Sequence, residues 1–293
     1  MSISEAKLLR QGTIADYAGL AKPGGILPHL VTASAAMFMA ATARPDMVTV
    51  ASTLIGGGLV AASANTFNSY LDRDIDALMS RTASRPLASG QISPNRALIY
   101  GISLGLVGAL ILTVFTNWMA AILAVAALAY YILPYTQWSK RRTYWSAIVG
   151  SGAGAITPLV GWAAITHHFG ATPFLLSSII MLWTVPHFWA LATFRKQDYA
   201  RAGIRVLPPS GVTTWIVASS FSLVTISIVL AIVAHLGMVY VTTAALLDAA
   251  LLILAVAQLG SRPRAALWLY RYSIAYVGLL FVAMMIDRLI VLG

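Results

Sequence analysis

The sequence contains no cysteine. Disulfides, thiolate-bound zinc, iron–sulfur clusters and thioether-linked heme are therefore excluded. Charge is scarce as well. Only 10% of the 293 residues are Asp, Glu, Lys or Arg, against about 25% in soluble domains. Acids are rarest, with nine Asp and Glu set against 19 Lys and Arg. Low-complexity tracts and a soluble domain are also lacking. The stretch 1–22 is mixed in charge and not very apolar, so no cleavable signal peptide is visible.

Apolar residues fill the space, at 59% of the chain. Residues 47–71, 97–139 and 143–194 carry no charge, and 206–261 carries only Asp248. A membrane-crossing helix needs about 20 mainly apolar residues. These runs, cut at their breakers, predict an all-α integral membrane protein with nine spans. The spans fall at 24–43, 47–71, 95–115, 118–136, 145–165, 173–194, 212–235, 239–259 and 269–290. The whole chain, 1–293, is expected to form one membrane-embedded domain.

Lys and Arg set the orientation, because short cytoplasmic loops collect them. With 1–22 inside, one side receives Lys7, Arg10 and Lys22, then Arg73, Arg81, Arg85 and Arg96. The same side receives Lys140, Arg141 and Arg142, then Arg195, Lys196, Arg201 and Arg205, then Arg262, Arg264 and Arg271. Only Arg44 and Arg288 fall elsewhere. The net charge of +10 is thus mostly a topology signal, with attraction to anionic lipid as a second effect. It calls for no nucleic-acid partner. The two longest loops, 72–94 and 195–211, share the cytoplasmic side and point to one site built from both.

The motif Asn68-Ser-Tyr-Leu-Asp72-Arg-Asp74-Ile-Asp76 closes the second span. Asn68, Asp72 and Asp76 recur every four residues and share one helix face. Asp74 points elsewhere. Carboxylates so placed repel unless a cation lies between them. Mg²⁺ suits such hard oxygen ligands, typically bridging a few carboxylates and a substrate phosphate. A Mg²⁺–diphosphate site is expected rather than an idle acidic helix end, since three of the nine acids fall within five positions.

This motif, continued by Arg81-Thr82-x-x-Arg85-Pro86-Leu87 and Gly90-x-Ile92-Ser93-Pro94, resembles the first aspartate motif of the UbiA-type prenyltransferases. The resemblance runs from Lys22-Pro23 to the ninth span and implies a nine-helix bundle around a central cavity. Three further stretches resemble the heme O synthase branch of that family. They are Lys140-Arg141-Arg142-Thr143 with Gly150 to Trp162, Leu182-Trp183-Thr184-Val185-Pro186-His187-Phe188, and Phe194-Arg195-Lys196-Gln197-Asp198-Tyr199 with Ala202-Gly203-Ile204. Relatives acting on quinone or lipid precursors carry a second paired-aspartate motif in the last region. Here Asp198 is followed by Ala202. Thr184, Arg205 and His29 depart from the branch, which has Gln, Pro and Asn there.

The resemblance implies Mg²⁺-dependent transfer of the farnesyl group of farnesyl diphosphate to a vinyl group of heme b, giving heme O, in the cytoplasmic membrane. Asn68, Asp72, Asp76 and Asp198 are the expected metal ligands. Arg81, Arg85, Lys140, Arg141, Arg142, Arg195 and Lys196 are the expected diphosphate clamp. His187 and Trp183 are expected at the heme, with a purely structural His187 as the competing reading. Gly150, Gly152 and Gly154 serve helix packing or leave room for a macrocycle. Phe67, Tyr70, Tyr131, Tyr135 and Trp183 are candidates to line a prenyl channel. Asp248 is expected to be a buried structural group. A heme A synthase or terminal oxidase partner is implied by the family alone. The rival functions are prenyl transfer to a quinone, chlorophyll or lipid precursor, and secondary transport.

Overall fold

The computed structural model describes residues 12–260 and 263–292. Lys7, Arg10 and Arg262 of the charge map lie outside them. The described residues are helical and contain no strand. In chain order the helices are α1 (Ile14–Ala21), α2 (Pro23–Ala40), α3 (Met47–Leu71), α4 (Arg73–Asp76), α5 (Pro94–Phe115) and α6 (Trp118–Tyr130). They continue with α7 (Ser146–Ile165), α8 (Ala171–Phe194), α9 (Lys196–Arg201), α10 (Val212–Val233), α11 (Met238–Val256) and α12 (Pro263–Leu292). Eight helices are long and apolar enough to cross a membrane. The first expected span is present as α2, but its 18 residues include Pro23, Pro28 and His29, which dilute its apolar character.

Span starts follow local chemistry. Asp46 caps α3 through the Thr49 amide at 2.9 Å, and Asn117 caps α6 through that of Ala120 at 2.9 Å. Proline opens α2 and α5, where a missing N–H is harmless. Two boundaries differ from expectation. The fourth span does not stop near 136 but continues from α6 as a π-helix, Tyr131–Ser139, with Pro134 inside it. Pro134 cannot donate the hydrogen bond that an α-helix needs there. The last helix begins at Pro263, so Arg264 and Arg271 lie on helix rather than loop.

Each long helix packs on the next, and α12 returns to α2, closing a ring. Contacts of α2 with α7 and of α8 with α12 tie the ring across. One large core gathers around Trp189, Tyr240, Tyr276 and Phe281. Outward faces stay apolar, as with Ile99, Leu106, Leu110 and Val114 on α5. Such faces suit hydrocarbon, while the helices satisfy their own backbones.

Small residues set the closest approaches. Gly56 and Gly108 meet backbone to backbone, each leaving less than 3.0 Å from a would-be Cβ to the other's carbonyl oxygen. A Cβ on Gly161 would overlap the Ala33 carbonyl, locking α7 to α2. Gly150 and Gly152 admit the rings of Tyr135 and Tyr130. Asp248 is buried and accepts a 2.7 Å hydrogen bond from the Tyr276 hydroxyl, the structural role expected of it. Arg288 donates to Ala41 O at 2.8 Å, which puts it at the same end of the bundle as nearby Arg44.

Two tests follow from this packing. Gly161→Ala should cost about 1–3 kcal/mol through overpacking. Thermal unfolding in detergent should show it, while Gly170→Ala, with open space at its Cβ, should unfold like the parent. The cysteine-free background also permits single-site labelling. In whole cells Gly170→Cys should react with an impermeant maleimide, and Ser84→Cys should react only after permeabilisation. Labelling of both from one side would contradict a bundle with these two loops at opposite ends.

Candidate functional site

The two long loops meet at one end of the bundle. Ser80 of the first donates to Asp198 Oδ1 of the second at 2.7 Å. Ile75 and Met79 pack there with Tyr199, Ile204 and Val206. The two loops expected to share one site are therefore in contact.

α3 ends at Leu71 and the short α4 restarts at Arg73, yet the four-residue spacing survives the break. The Asp72 amide still donates to Asn68 O at 2.9 Å, and the Asp76 amide to Asp72 O at 2.8 Å. Asn68, Asp72 and Asp76 thus stay on one face, and all three are buried. Asp74 points out, as expected, with its side chain 60% exposed.

Buried carboxylates must be neutralised. Asp72 Oδ2 receives Lys140 Nζ and the Asn68 amide, the latter at 2.7 Å. Arg141 stands 3.8 Å from Asp72 and binds Asp74 with both terminal nitrogens at 2.7 Å. That fork holds the Asp74 carboxyl down at about 2. Arg85 pairs with Asp76 at 2.7 Å. Asp198 has Arg195 and Arg201 at 3.8 and 3.7 Å.

The π-helix is what brings Lys140 in. Its wide turns bury Thr136 and Ser139, and the Lys140 amide closes it on Tyr135 O. Thr136 Oγ1 also accepts from Asn68 Nδ2 at 3.3 Å. Lys22, between α1 and α2, completes the cluster by donating to Asn68 Oδ1 at 2.9 Å. Burial, with Arg85 and Lys140 nearby, draws the Lys22 ammonium down to about 7. Sequence reading missed the site roles of Lys22, Ser80 and Thr136. The only signals were a lysine directly before the first proline of α2, and Pro134 inside an apolar run.

Among the described residues, no three His, Cys, Asp or Glu side chains stand together as a metal site. The two buried acids of the 72–76 face are each drawn to a cation of their own. The donor set nevertheless fits a hard divalent cation. Asp72 Oδ1 is buried without a hydrogen-bond partner, and carboxylate and amide oxygens are the ligands such an ion takes.

Beneath this cluster lies a cavity of about 360 Å³ between α2, α3, α6, α7 and α8. Asn65, one turn from Asn68, and Tyr131 line it, as do Gly150, Gly154, Trp183 and His187. His29 lines it too, bonded to Thr157 Oγ1 at 3.2 Å. Of the other aromatic candidates, Phe67 lies against Gly101, Tyr70 holds the Arg73 guanidinium at 4.7 Å, and Tyr135 covers Gly150.

Trp183 and His187 form one rigid unit. Their rings stack at 4.5 Å, and both reach Ser273 on α12. Trp183 Nε1 donates to Ser273 O at 2.6 Å, and His187 Nδ1 lies 2.8 Å from Ser273 Oγ. Ser273 gives its single hydroxyl proton to Tyr270 O at 2.7 Å. With that proton directed to Tyr270 O, the Ser273 oxygen accepts from His187 Nδ1 and Nε2 carries the lone pair; with the hydroxyl turned to Nδ1, the tautomer is reversed.

The diphosphate candidates divide. Arg85, Lys140 and Arg141 touch the acids, whereas Arg142 and Lys196 make no ion pair among the described residues. Arg81 and Arg195 line a second, smaller pocket, and Arg195 also stands 3.8 Å from Asp198.

Residues 29–285 match the model of the UbiA prenyltransferase family. Among sequence relatives, the protoheme IX farnesyltransferase of Roseiflexus sp. (strain RS-1) is 40% identical over 94% of this chain. This chain spans about half the length of that relative, 52%. The protoheme IX farnesyltransferase of Symbiobacterium thermophilum is 38% identical, with 94% of both chains covered. The solved digeranylgeranylglyceryl phosphate synthase superposes with a TM-score of 0.76 at 17% identity, covering 94% of this chain and 98% of its own. A UbiA homolog from Archaeoglobus fulgidus bound to DMAPP and Mg²⁺ gives 0.67 at 15% identity, covering 92% of this chain and 99% of its own. The chain belongs to the UbiA prenyltransferase family and is a multi-pass membrane protein.

Removing Lys140 should expose how far Asp72 depends on it. Lys140→Met leaves a buried carboxylate short of its cation and should cost about 3–5 kcal/mol. Lys140→Met combined with Asp72→Asn should regain most of that loss in thermal unfolding of the metal-free protein.

Proposed function

We propose that this member of the UbiA prenyltransferase family is a heme O synthase, transferring the farnesyl group of farnesyl diphosphate to a vinyl group of heme b. The observation that carries the reading is the buried Asn68–Asp72–Asp76 face at the mouth of an apolar cavity whose wall bears Trp183 and His187. The names of relatives near 40% identity support the acceptor. Ala202, four residues after Asp198, supports it against quinone or lipid acceptors.

In this reading Asn68, Asp72, Asp76 and Asp198 would hold Mg²⁺, which supplies charge neutralisation of the departing diphosphate. The homolog from Archaeoglobus fulgidus bound to DMAPP and Mg²⁺ supports a divalent ion there. Arg85, Lys140 and Arg141 leave their carboxylate partners in part to grip phosphate oxygens, with Arg142 and Lys196 at the rim. The prenyl chain lies in the cavity below. As the C1–O bond breaks, its electron pair leaves with the diphosphate, and Tyr131 offers its ring face to the allylic cation. The vinyl π electrons then bond to C1. Water captures the new cation beside the macrocycle and loses a proton to solvent, giving the hydroxyethylfarnesyl group. The apolar wall delays water until carbon–carbon bonding is complete. His187, whose Nδ1 is held by Ser273, would contact the heme and could offer Nε2 to its iron, since a partner on Nδ1 orients such a ring. We further propose that the chain acts as one membrane-embedded unit, with the acidic end on the cytoplasmic side.

Purified protein given heme b, farnesyl diphosphate and Mg²⁺ should yield a product with the mass of heme O. Asp72→Ala and Asp76→Ala should each lower turnover by about 10²–10³-fold or more while folding is retained. Chelation should do the same to the parent, and excess Mg²⁺ should reverse it. Transfer to a quinone precursor and none to heme would refute the acceptor. Near-normal turnover in either folded variant would refute the metal site.

A further inference from the structure

The second pocket, about 280 Å³, is lined by three arginines, Arg81, Arg195 and Arg271, together with Tyr270. It collects positive charge without balancing it. Arg81 and Arg271 form no hydrogen bond or ion pair among the described residues. Arg195 reaches Asp198 only at 3.8 Å, and its Nε is buried without a partner. Three like charges on one cavity, with Asp198 the one acid beside them at 3.8 Å from Arg195, call for a further anion, and planar guanidinium forks match carboxylate geometry.

The position says which anion. Along α8, Trp183, Thr184 and His187 line the large cavity, and Leu191, Phe194 and Arg195 line the small pocket. At four-residue intervals these form one stripe, and His187 to Arg195 spans about 12 Å at 1.5 Å per residue. Tyr270 joins the two spaces, because it lines the small pocket while its ring lies 5.0 Å from that of His187. A flat macrocycle held at His187 would extend one edge toward the arginines. In heme b the two carboxylate side chains lie on one edge and the vinyl groups lie away from it.

We propose that Arg81, Arg195 and Arg271 form the acceptor's carboxylate site, gripping the two propionates so that the vinyl edge faces the large cavity. This rests on the heme reading above. It assigns a role to Arg271, which lies outside the acidic cluster. It also separates Arg81 and Arg195 from the diphosphate clamp in which their sequence motifs had placed them.

The test compares heme b with its dimethyl ester, in the parent and in Arg271→Gln. Arg271 is surface-exposed, so the variant should fold. The parent should bind the ester at least about tenfold more weakly than heme b, as loss of charged hydrogen bonds implies. Arg271→Gln should bind heme b about tenfold more weakly and discriminate less against the ester. Its KM for farnesyl diphosphate should not change, and Arg271→Lys should recover part of the loss. If the parent farnesylates heme b and the ester equally well, the propionate site is overturned and the heme reading stands. A raised KM for farnesyl diphosphate in Arg271→Gln would overturn it in favour of a diphosphate pocket. Heme affinity that varies with anionic lipid in the nanodisc, and not with esterification, would overturn it in favour of a headgroup site. A parent that neither binds nor farnesylates heme b would overturn the heme reading itself.

Discussion

Asp72 is wholly buried, at 0% exposure, so cations must be carried to its carboxylate, and that requirement organises this end of the bundle. Lys140 arrives from the end of the fourth span, Arg141 follows it, and Lys22 comes from the entrance to the first long helix. Each comes from a different part of the chain. The cluster therefore forms only once the first four spans have packed together. In the proposed reading an incoming diphosphate would exchange one set of oxygens for another around the same cations.

The cavity below has the opposite character. Its wall is built largely of small and aromatic residues, and most of its few polar groups are already bonded. His29 is tied to Thr157, and Trp183 and His187 to Ser273. If a diphosphate ester ionises beside such a wall, as proposed, the two demands of the chemistry are separated: charge would be managed at the helix ends and the cation sheltered a turn or two deeper.

Most span boundaries were legible in the sequence, because they depend on local signals. Asp46, Pro94 and Asn117 mark helix starts within a residue or two of where they occur. The four-residue acid spacing was legible too, since a helix face is a local property. What could not be read is whatever depends on a partner far along the chain. Ser80 meets Asp198 across more than a hundred residues, and Ser273 meets His187 from the last helix. Nothing near either serine announces the pairing. Arg81 and Arg195 were legible as basic loop residues but not as members of a separate pocket, since spacing does not say which of several anion sites a guanidinium reaches. The π-helix lay between these cases. Pro134 warned of irregularity in the fourth span but not of its form.

The π-helical stretch also bears on which length changes the chain can tolerate. Its wider turn takes up more residues per revolution than an α-helix does, and Lys140 sits at its end. Deleting one residue between 131 and 139 with the winding unchanged would turn Lys140 about the helix axis by somewhat less than the roughly 100° of one α-helical residue. The ammonium would then swing away from Asp72. Loops at the far end, such as 166–170, answer to no such phase. Indels in this protein are thus tolerated according to angular register rather than exposure, and the nine residues of that stretch form a spacer whose length is itself information.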